Sequence, residues 1–173
     1  MGRTTTRTAT PRATLRDLQP ADIAGAWAYH LWRITYEDGR VTEPFGAGAT
    51  GLLLYTHDGF MSACIMAGER KPFARPNPRD ATLRERADAF DGYFSYAGRW
   101  RLVAGTTGPR VEHEVTVALN PAFVGSRQWR DARLVGRRLI LSAEERTPGG
   151  IRRHELEWRR PPAQRPAARR STR

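Results

Sequence analysis

Polar and apolar residues alternate along residues 110–119, and this alternation is the feature that most limits the fold of the chain. Val111, His113, Val115, Val117 and Leu119 occupy every second position. Successive side chains of a β-strand point to opposite faces, so a period of two predicts a strand with one buried face. The apolar set, and His113 with it, is expected to point into a core.

Similar segments recur along the chain, which predicts an all-β fold. Runs with strand-like patterning lie at 26–36, 51–56, 60–66, 94–103, 126–135, 138–143 and 151–159. Turn residues separate them, including Asp38-Gly39, His57-Asp58-Gly59 and Gly149-Gly150. About eight sequential antiparallel strands without a βαβ crossover favour a single up-and-down barrel, because closure removes the sheet edges. A two-sheet sandwich is the alternative.

One short helix is expected among these strands. Thr82 is followed three residues later by Glu85, the spacing of a capping box, which predicts a helix over residues 83–91. Residues 68–80, just before it, contain three prolines and a glycine and are predicted to form a long loop. Loops of this length serve either as covers over binding sites or as inert connections, and the sequence leaves both open.

The charge distribution indicates one compact domain with basic ends. The 173 residues carry a formal net charge of +11, of which residues 1–20 hold +3 and residues 159–173 hold +6. We expect a disordered extension over 1–20, a barrel domain over 21–160 and a disordered basic tail over 161–173. Basic tails bind polyanions through screened contacts, so no specific nucleic-acid partner is expected; polyanion binding by the tails is a minor alternative.

Missing sequence features exclude several classes of protein. No apolar run approaches the roughly 18 residues needed to span a bilayer, so no membrane partner is expected. Cys64 is the single cysteine, which excludes an internal disulfide and fits a reducing, cytoplasmic location. The chain has no metal-ligand spacing, dinucleotide fingerprint, phosphate-binding loop or nucleophile elbow, so neither a metal nor a cofactor is expected.

Alternation also assigns side chains to the interior of the barrel. In the strand over 126–135, leaving Arg127, Asp131 and Arg133 in water makes Gln128, Arg130, Ala132 and Leu134 point inward. A turn centred near residues 122 and 123 places His113 opposite Ala132 and Val115 opposite Arg130, so His113 and Arg130 become diagonal neighbours. On the other strands, the residues expected to point inward include Leu53, Tyr55, Met61, Ile65, Tyr96, Gly98, Trp100 and Leu102.

The sequence therefore predicts a polar cluster of Tyr96, His113, Gln128 and Arg130 in an apolar cavity, where apolar walls give affinity and polar groups fix orientation. An interior arginine is costly unless paired, and the inner face as assigned offers it no carboxylate. The expected partner is a small apolar or amphipathic molecule with a carbonyl or acidic group. The predicted ligand-binding residues are Tyr55, Met61, Tyr96, Trp100, His113, Val115, Val117, Gln128 and Arg130.

Several strings in the chain resemble one family. Gly25-Ala26-Trp27 is similar to the Gly-X-Trp opening of lipocalins. With PFG (44–46), GLLLYTHDGFMSA (51–63), AFDGYFSYAGRW (89–100), HEV (113–115), NPAFVG (120–125), QWR (128–130) and LEWR (156–159), the chain resembles the bacterial and fungal lipocalin-like domain family. The resemblance implies a calycin-type barrel with a cavity for a small, largely apolar molecule. It also implies that Arg130 or Arg159 can instead lie on the Trp27 ring.

Two functions are consistent with these features. The first is binding of a small molecule in the central cavity. The alternative is a cofactor-independent isomerase or cyclase of polyketide-like or terpenoid-like natural-product biosynthesis. In that enzyme His113 would act as general acid or base, and Arg130 with Tyr96 would stabilise oxyanion charge. Whether the protein is an enzyme stays open at the level of sequence.

Overall fold

The computed structural model describes residues 18–162, which form nine β-strands and two short α-helices. The helices are α1 (Pro20–Ile23) and α2 (Leu83–Asp91). The strands are β1 (Gly25–Tyr36), β2 (Val41–Thr42), β3 (Thr50–Tyr55), β4 (Phe60–Met66), β5 (Tyr93–Ala104), β6 (Pro109–Ala118), β7 (Arg127–Val135), β8 (Arg138–Thr147) and β9 (Gly150–Arg159). The expected extension (1–20) and tail (161–173) lie mostly outside the described residues.

Eight of these strands close into an antiparallel barrel. From β3 to β9, each strand pairs with the next one along the chain. The strand β1 closes the barrel, because residues 25–28 pair with β3 and residues 28–36 pair with β9. The two-residue strand β2 pairs with Ile34 and Thr35 outside this ring. The predicted up-and-down barrel is confirmed, and the two-sheet alternative is wrong.

Local sequence signals fix the turn between β3 and β4 and the start of α2. Gly59 has φ of +85°, a conformation that glycine adopts without steric cost, and it closes the predicted hairpin loop. At α2, the Thr82 hydroxyl accepts from the Glu85 backbone N–H at 3.2 Å, and the Glu85 carboxylate accepts from the Thr82 N–H at 2.8 Å. The capping box and the helix over 83–91 are therefore confirmed.

One end of the barrel is closed by α1, Trp27 and Arg160. The buried Trp27 indole N–H donates to the Ile23 carbonyl at 2.7 Å, and the Arg160 guanidinium carbon lies 4.2 Å from the centre of the Trp27 ring. Arg130 and Arg159 do not occupy this position, so that expectation is wrong. Arg159 is still part of β9 and donates to Glu157, whereas Arg160 follows the strand end and donates to the Ala24 carbonyl.

Several of the large buried side chains lie near this closed end. Trp27, Tyr55, Met61, Trp100 and Val111 are all buried there or just above it. The strands β1, β5 and β9 bring Trp32, Phe94 and Leu156 to the opposite, open end, where α2 and the loops before β3 and before α2 also lie. In the described part of the chain, no helix has the length and apolar character needed to cross a membrane.

Candidate functional site

A chain of three hydrogen-bonding side chains crosses the interior of the barrel. The hydroxyl of Tyr55 (β3) lies 2.7 Å from Nε2 of His113 (β6), and the hydroxyl of Tyr96 (β5) lies 2.8 Å from Nδ1 of the same ring. His113 is 0% exposed and Tyr55 is 1% exposed. Both imidazole nitrogens are therefore held by phenol groups that the curvature of the sheet brings together.

Burial controls the ionisation of all three groups. Desolvation, with a smaller contribution from the nearby Arg130 charge, lowers the pKa of His113 from 6.5 to about 3. Desolvation also raises the pKa of Tyr96 and raises that of Tyr55 well above its usual value, although Arg130 acts in the opposite direction on both phenols. At neutral pH the cluster consists of a neutral imidazole and two neutral phenols.

Arg130 lies diagonally across the β6–β7 ladder from His113. Val111 pairs with Arg130, and His113 pairs with Gln128. The predicted pairs, Val115 with Arg130 and His113 with Ala132, are wrong because the turn is centred two residues earlier. The ladder ends where the Val115 N–H donates to the Ser126 carbonyl and the Gly125 N–H donates to the Val115 carbonyl, and a 3-10 turn at Pro121–Phe123 lies in the connection. The diagonal relation of His113 and Arg130 survives this change of register.

An interior cavity of about 40 Å³ adjoins this cluster. Three of the predicted site residues line it, namely Tyr96, His113 and Arg130. Its apolar wall includes Leu53, Ile65, Phe94, Leu141, Leu156 and Trp158. A single water needs roughly 10–15 Å³ of such space, so the cavity accommodates a small polar group rather than a whole drug-sized ligand.

A second, larger space of about 670 Å³ lies at the open rim. It is bounded by the loop before β3, the loop between β4 and α2, and α2 itself, with Phe45, Arg70 and Phe73 among its lining residues. The Phe45 ring lies 5.6 Å from Trp32, which lines the interior cavity. The rim pocket and the interior cavity are thus separated by an aromatic layer of Phe45, Trp32 and Phe94.

The other predicted ligand-binding residues lie away from the cavity. Tyr55 reaches it only through His113, while the buried side chains of Met61, Trp100 and Val115 do not line it. Gln128 is half-buried and its amide donates to the Ser126 hydroxyl at 2.9 Å. These residues support or pack around the cluster, and their predicted contact with ligand stays a prediction.

The predicted inward orientation of Val117 is wrong, since its side chain is 65% exposed. Ala97 pairs with Val117 and Gly98 pairs with Val115, so Thr116 is an extra residue in β6. This β-bulge reverses the alternation beyond Val115, and Ala118 rather than Val117 packs against the core.

The sequence analysis did not predict several residues that line the interior cavity. Trp32 donates from its indole N–H to Nδ1 of His154 at 3.2 Å, and His154 in turn lies 3.2 Å from a carboxylate oxygen of Glu145. Trp158 lines the cavity and is 2% exposed, and its indole N–H has no hydrogen-bond partner among residues 18–162. The alternation of His154, Leu156 and Trp158 along β9 was the available signal for this wall.

A comparison with protein families agrees with the barrel fold. A family model described as a lipocalin-like domain matches residues 24–161. The chain belongs to the lipocalin-like domain family. The match to the lipocalin-like domain begins just before Trp27 and ends just after Arg160, so it includes the whole barrel and the residues that close its base. No curated protein matches the chain.

Within this lipocalin-like domain, two of the polar groups that line the cavity can only donate hydrogen bonds. Arg130 is a hydrogen-bond donor only, and the indole of Trp158 is likewise a donor. In the described residues, no group of three or more His, Cys, Asp or Glu side chains is arranged to hold a metal ion. The arrangement is suited to receiving a hydrogen-bond acceptor on an apolar molecule.

Proposed function

We propose that this lipocalin-like barrel binds a small, largely apolar molecule that carries a carbonyl or a carboxylate, with that group placed at Arg130 and Tyr96. The single free cysteine fits a reducing compartment, and we propose the cytoplasm as its location. The fold supports ligand binding in general, because a closed antiparallel barrel surrounds an interior that side chains fill only in part.

The observation that carries the proposal is the state of Arg130. This half-buried side chain lines an apolar cavity, and within residues 18–162 it forms no ion pair. The hydrogen bond that it makes there runs from Nη1 to the neighbouring Trp129 carbonyl at 2.8 Å. A half-buried guanidinium that lines an apolar cavity is stabilised by an anionic or carbonyl partner, which a ligand supplies.

The sizes of the two spaces determine how such a ligand lies. The interior cavity of about 40 Å³ holds only its polar end. The rim pocket of about 670 Å³ is within the usual range for a bound organic molecule. We propose that the apolar body extends from Tyr96 past Trp32 and Phe94 toward the rim, which requires the aromatic layer to move apart.

Fluorescence titration with cis-parinaric acid tests this proposal. Removing the guanidinium in Arg130→Met should weaken binding of the acid by about tenfold or more, because a hydrogen bond to a charged group is lost, while its methyl ester should be less affected. Arg133→Met is the matched control, since Arg133 is an exposed residue of the same strand. Equal affinities for the acid in wild type and Arg130→Met, or an equal loss in Arg133→Met, would contradict the proposal.

The alternative function, a cofactor-independent isomerase or cyclase acting on natural-product intermediates, is favoured by the continuous Tyr55–His113–Tyr96 chain. Such a chain can move a proton while Arg130 and Tyr96 stabilise an enolate oxygen. The test is exchange of the hydrogens α to the carbonyl of β-ionone in D2O, followed by proton NMR. Protein-dependent exchange that is lost in His113→Gln would support an enzyme, and exchange no faster than in buffer would leave the binding function alone.

A further inference from the structure

The Tyr55–His113–Tyr96 chain allows only two arrangements of its hydrogens. A neutral imidazole carries one N–H donor and one bare nitrogen that accepts. One phenol must therefore donate to the ring, and the other must accept from it. The phenol that accepts keeps its own hydroxyl hydrogen for a further partner. The position of that free hydrogen differs between the two arrangements.

In the first arrangement Tyr96 donates to Nδ1, and the Nε2–H donates to Tyr55. The hydroxyl hydrogen of Tyr55 then has no acceptor among the described residues, since the Tyr55 hydroxyl contacts only His113 there and the side chain is 1% exposed. Trp100 packs against Tyr55, but its indole N–H is a donor only, which points to the Thr56 carbonyl, and it cannot accept the Tyr55 hydrogen. A buried donor without a partner is unfavourable, so this arrangement is disfavoured.

In the second arrangement Tyr55 donates to Nε2, and the Nδ1–H donates to the oxygen of Tyr96. The free hydrogen now belongs to Tyr96, which lines the interior cavity. Both hydrogen bonds to the imidazole are then formed. The Tyr96 hydroxyl hydrogen is left over, and a ligand group in the interior cavity can accept it. The second arrangement is the one that the burial of Tyr55 selects.

The remaining polar groups around the cavity also lack an available acceptor. Arg130 is a donor only, and Trp158 has an unpartnered indole N–H within the described part of the chain. The Nδ1 atom of His154 is already occupied by the Trp32 N–H, and its Nε2 faces Glu145. A ligand hydroxyl placed here would keep its own hydrogen unpaired, whereas a carbonyl oxygen would satisfy the donors.

We propose that Tyr55 holds His113 in the Nδ1–H form, that this makes Tyr96 a hydrogen-bond donor to the cavity, and that the cavity therefore selects ketones over the corresponding alcohols. This inference rests on the proposed function and specifies its ligand class. Tyr96 is the contact residue, and Tyr55 and His113 are positioning residues behind it.

The first test is the tautomer of His113 in the full-length protein without ligand. Long-range proton–nitrogen NMR correlations distinguish an imidazole protonated at Nδ1 from one protonated at Nε2. We expect Nδ1–H in the wild type. In Tyr55→Phe the nitrogen Nε2 loses the phenol that donates to it, so the Nδ1–H form leaves a buried bare nitrogen without a donor, and the Nε2–H form should become populated. An Nε2–H tautomer in the wild type overturns the inference, and so does a tautomer that Tyr55→Phe leaves unchanged.

The second test compares β-ionone with β-ionol, which share a carbon skeleton and differ as ketone and alcohol. Quenching of tryptophan fluorescence reports their dissociation constants. The wild type should prefer the ketone by about five- to tenfold, the value of one hydrogen bond. Tyr96→Phe should abolish the preference and Tyr55→Phe should reduce it, while the matched control Tyr93→Phe, near the start of the same strand, should keep it.

The outcomes separate the two proposals. Binding of both probes without preference would overturn the inference and leave the proposed function intact. Failure of β-ionone, β-ionol and cis-parinaric acid to bind would overturn the proposed function and the selectivity together, and the tautomer measurement would still decide the arrangement of the hydrogens. A thermal melt of each variant shows whether a changed preference comes from the missing hydroxyl or from loss of the fold.

Discussion

The protonation and hydrogen bonding of His113 are determined by its surroundings in the barrel. It is fully buried, both nitrogens are hydrogen-bonded to phenols, and the Arg130 charge lies nearby. Desolvation is the main reason that its pKa falls from 6.5 to about 3. Such a group is a weak base at neutral pH, so its more effective role is to orient Tyr96 rather than to remove a proton directly.

The low pKa of His113 makes the stability of the protein depend on pH. Between its unfolded pKa of 6.5 and its folded pKa of about 3, the unfolded chain binds a proton that the folded protein does not. The free energy of unfolding therefore falls as the pH falls through this window, by about 3 kcal/mol between pH 7 and pH 4. Urea unfolding of wild type and His113→Gln at these two pH values measures the effect. The variant should lose less stability on acidification, and parallel losses would show that His113 does not titrate as described.

Alternation in the sequence was enough to place Tyr96 and His113 inside the barrel, because period-two patterning follows directly from strand geometry. It was not enough for Glu112, which alternates with His113 along β6 and is nevertheless only 3% exposed. Arg101 and Arg127 from the two neighbouring strands cover its carboxylate. Burial of this kind depends on long side chains reaching across strands, which the pattern of a single strand does not show.

At the scale of elements, the main departure from the sequence pattern is the bulge in β6. An extra residue at Thr116 cannot be recognised from the run Val115, Thr116, Val117, which continues the alternation without a break. The β6–β7 register was also not predictable from the sequence. The connection contains a 3-10 turn at Pro121–Phe123, and the alternation of the two strands does not show at which residue such a connection is centred. The presence of the strands was therefore predictable, whereas the facing of side chains beyond Val115 and the β6–β7 register were not.

The bulge requires a glycine at position 98. A Cβ atom there would overlap the Glu114 carbonyl oxygen and approach the Thr116 nitrogen to 3.0 Å. Since both neighbours are backbone atoms, Gly98→Ala forces the β5–β6 ladder apart, and we expect a loss of about 2–4 kcal/mol in unfolding free energy. Gly149→Ala is the matched control, because the nearest atom to its Cβ is the Thr147 hydroxyl at 3.8 Å. Chemical denaturation of both variants measures the difference, and similar losses would contradict the close approach at Gly98.

At the scale of the whole molecule, the two ends of the barrel have different roles. The base is blocked by α1, Trp27 and Arg160, which packs across the Trp27 ring. The open end carries the rim pocket, and the aromatic layer lies between that pocket and the interior cavity lined by Tyr96 and Arg130. A ligand of the proposed kind must therefore enter from the rim, and its rate of entry should depend on that layer.

Phe45 is the member of the layer that links the two spaces, since it lines the rim pocket and its ring lies 5.6 Å from that of Trp32, which lines the interior cavity. Phe45→Ala should open the path and raise the association rate constant of β-ionone roughly threefold or more, with a parallel rise in the dissociation rate because the same barrier is crossed in both directions. Stopped-flow tryptophan fluorescence measures both rates. Phe73→Ala is the control, because Phe73 also lines the rim pocket but, among the described residues, makes no ring contact with Trp32 or Phe94, and the change should leave the association rate within about twofold of wild type. If the two variants accelerate entry equally, the barrier lies in the rim loops; if neither does, the ligand does not pass through this layer.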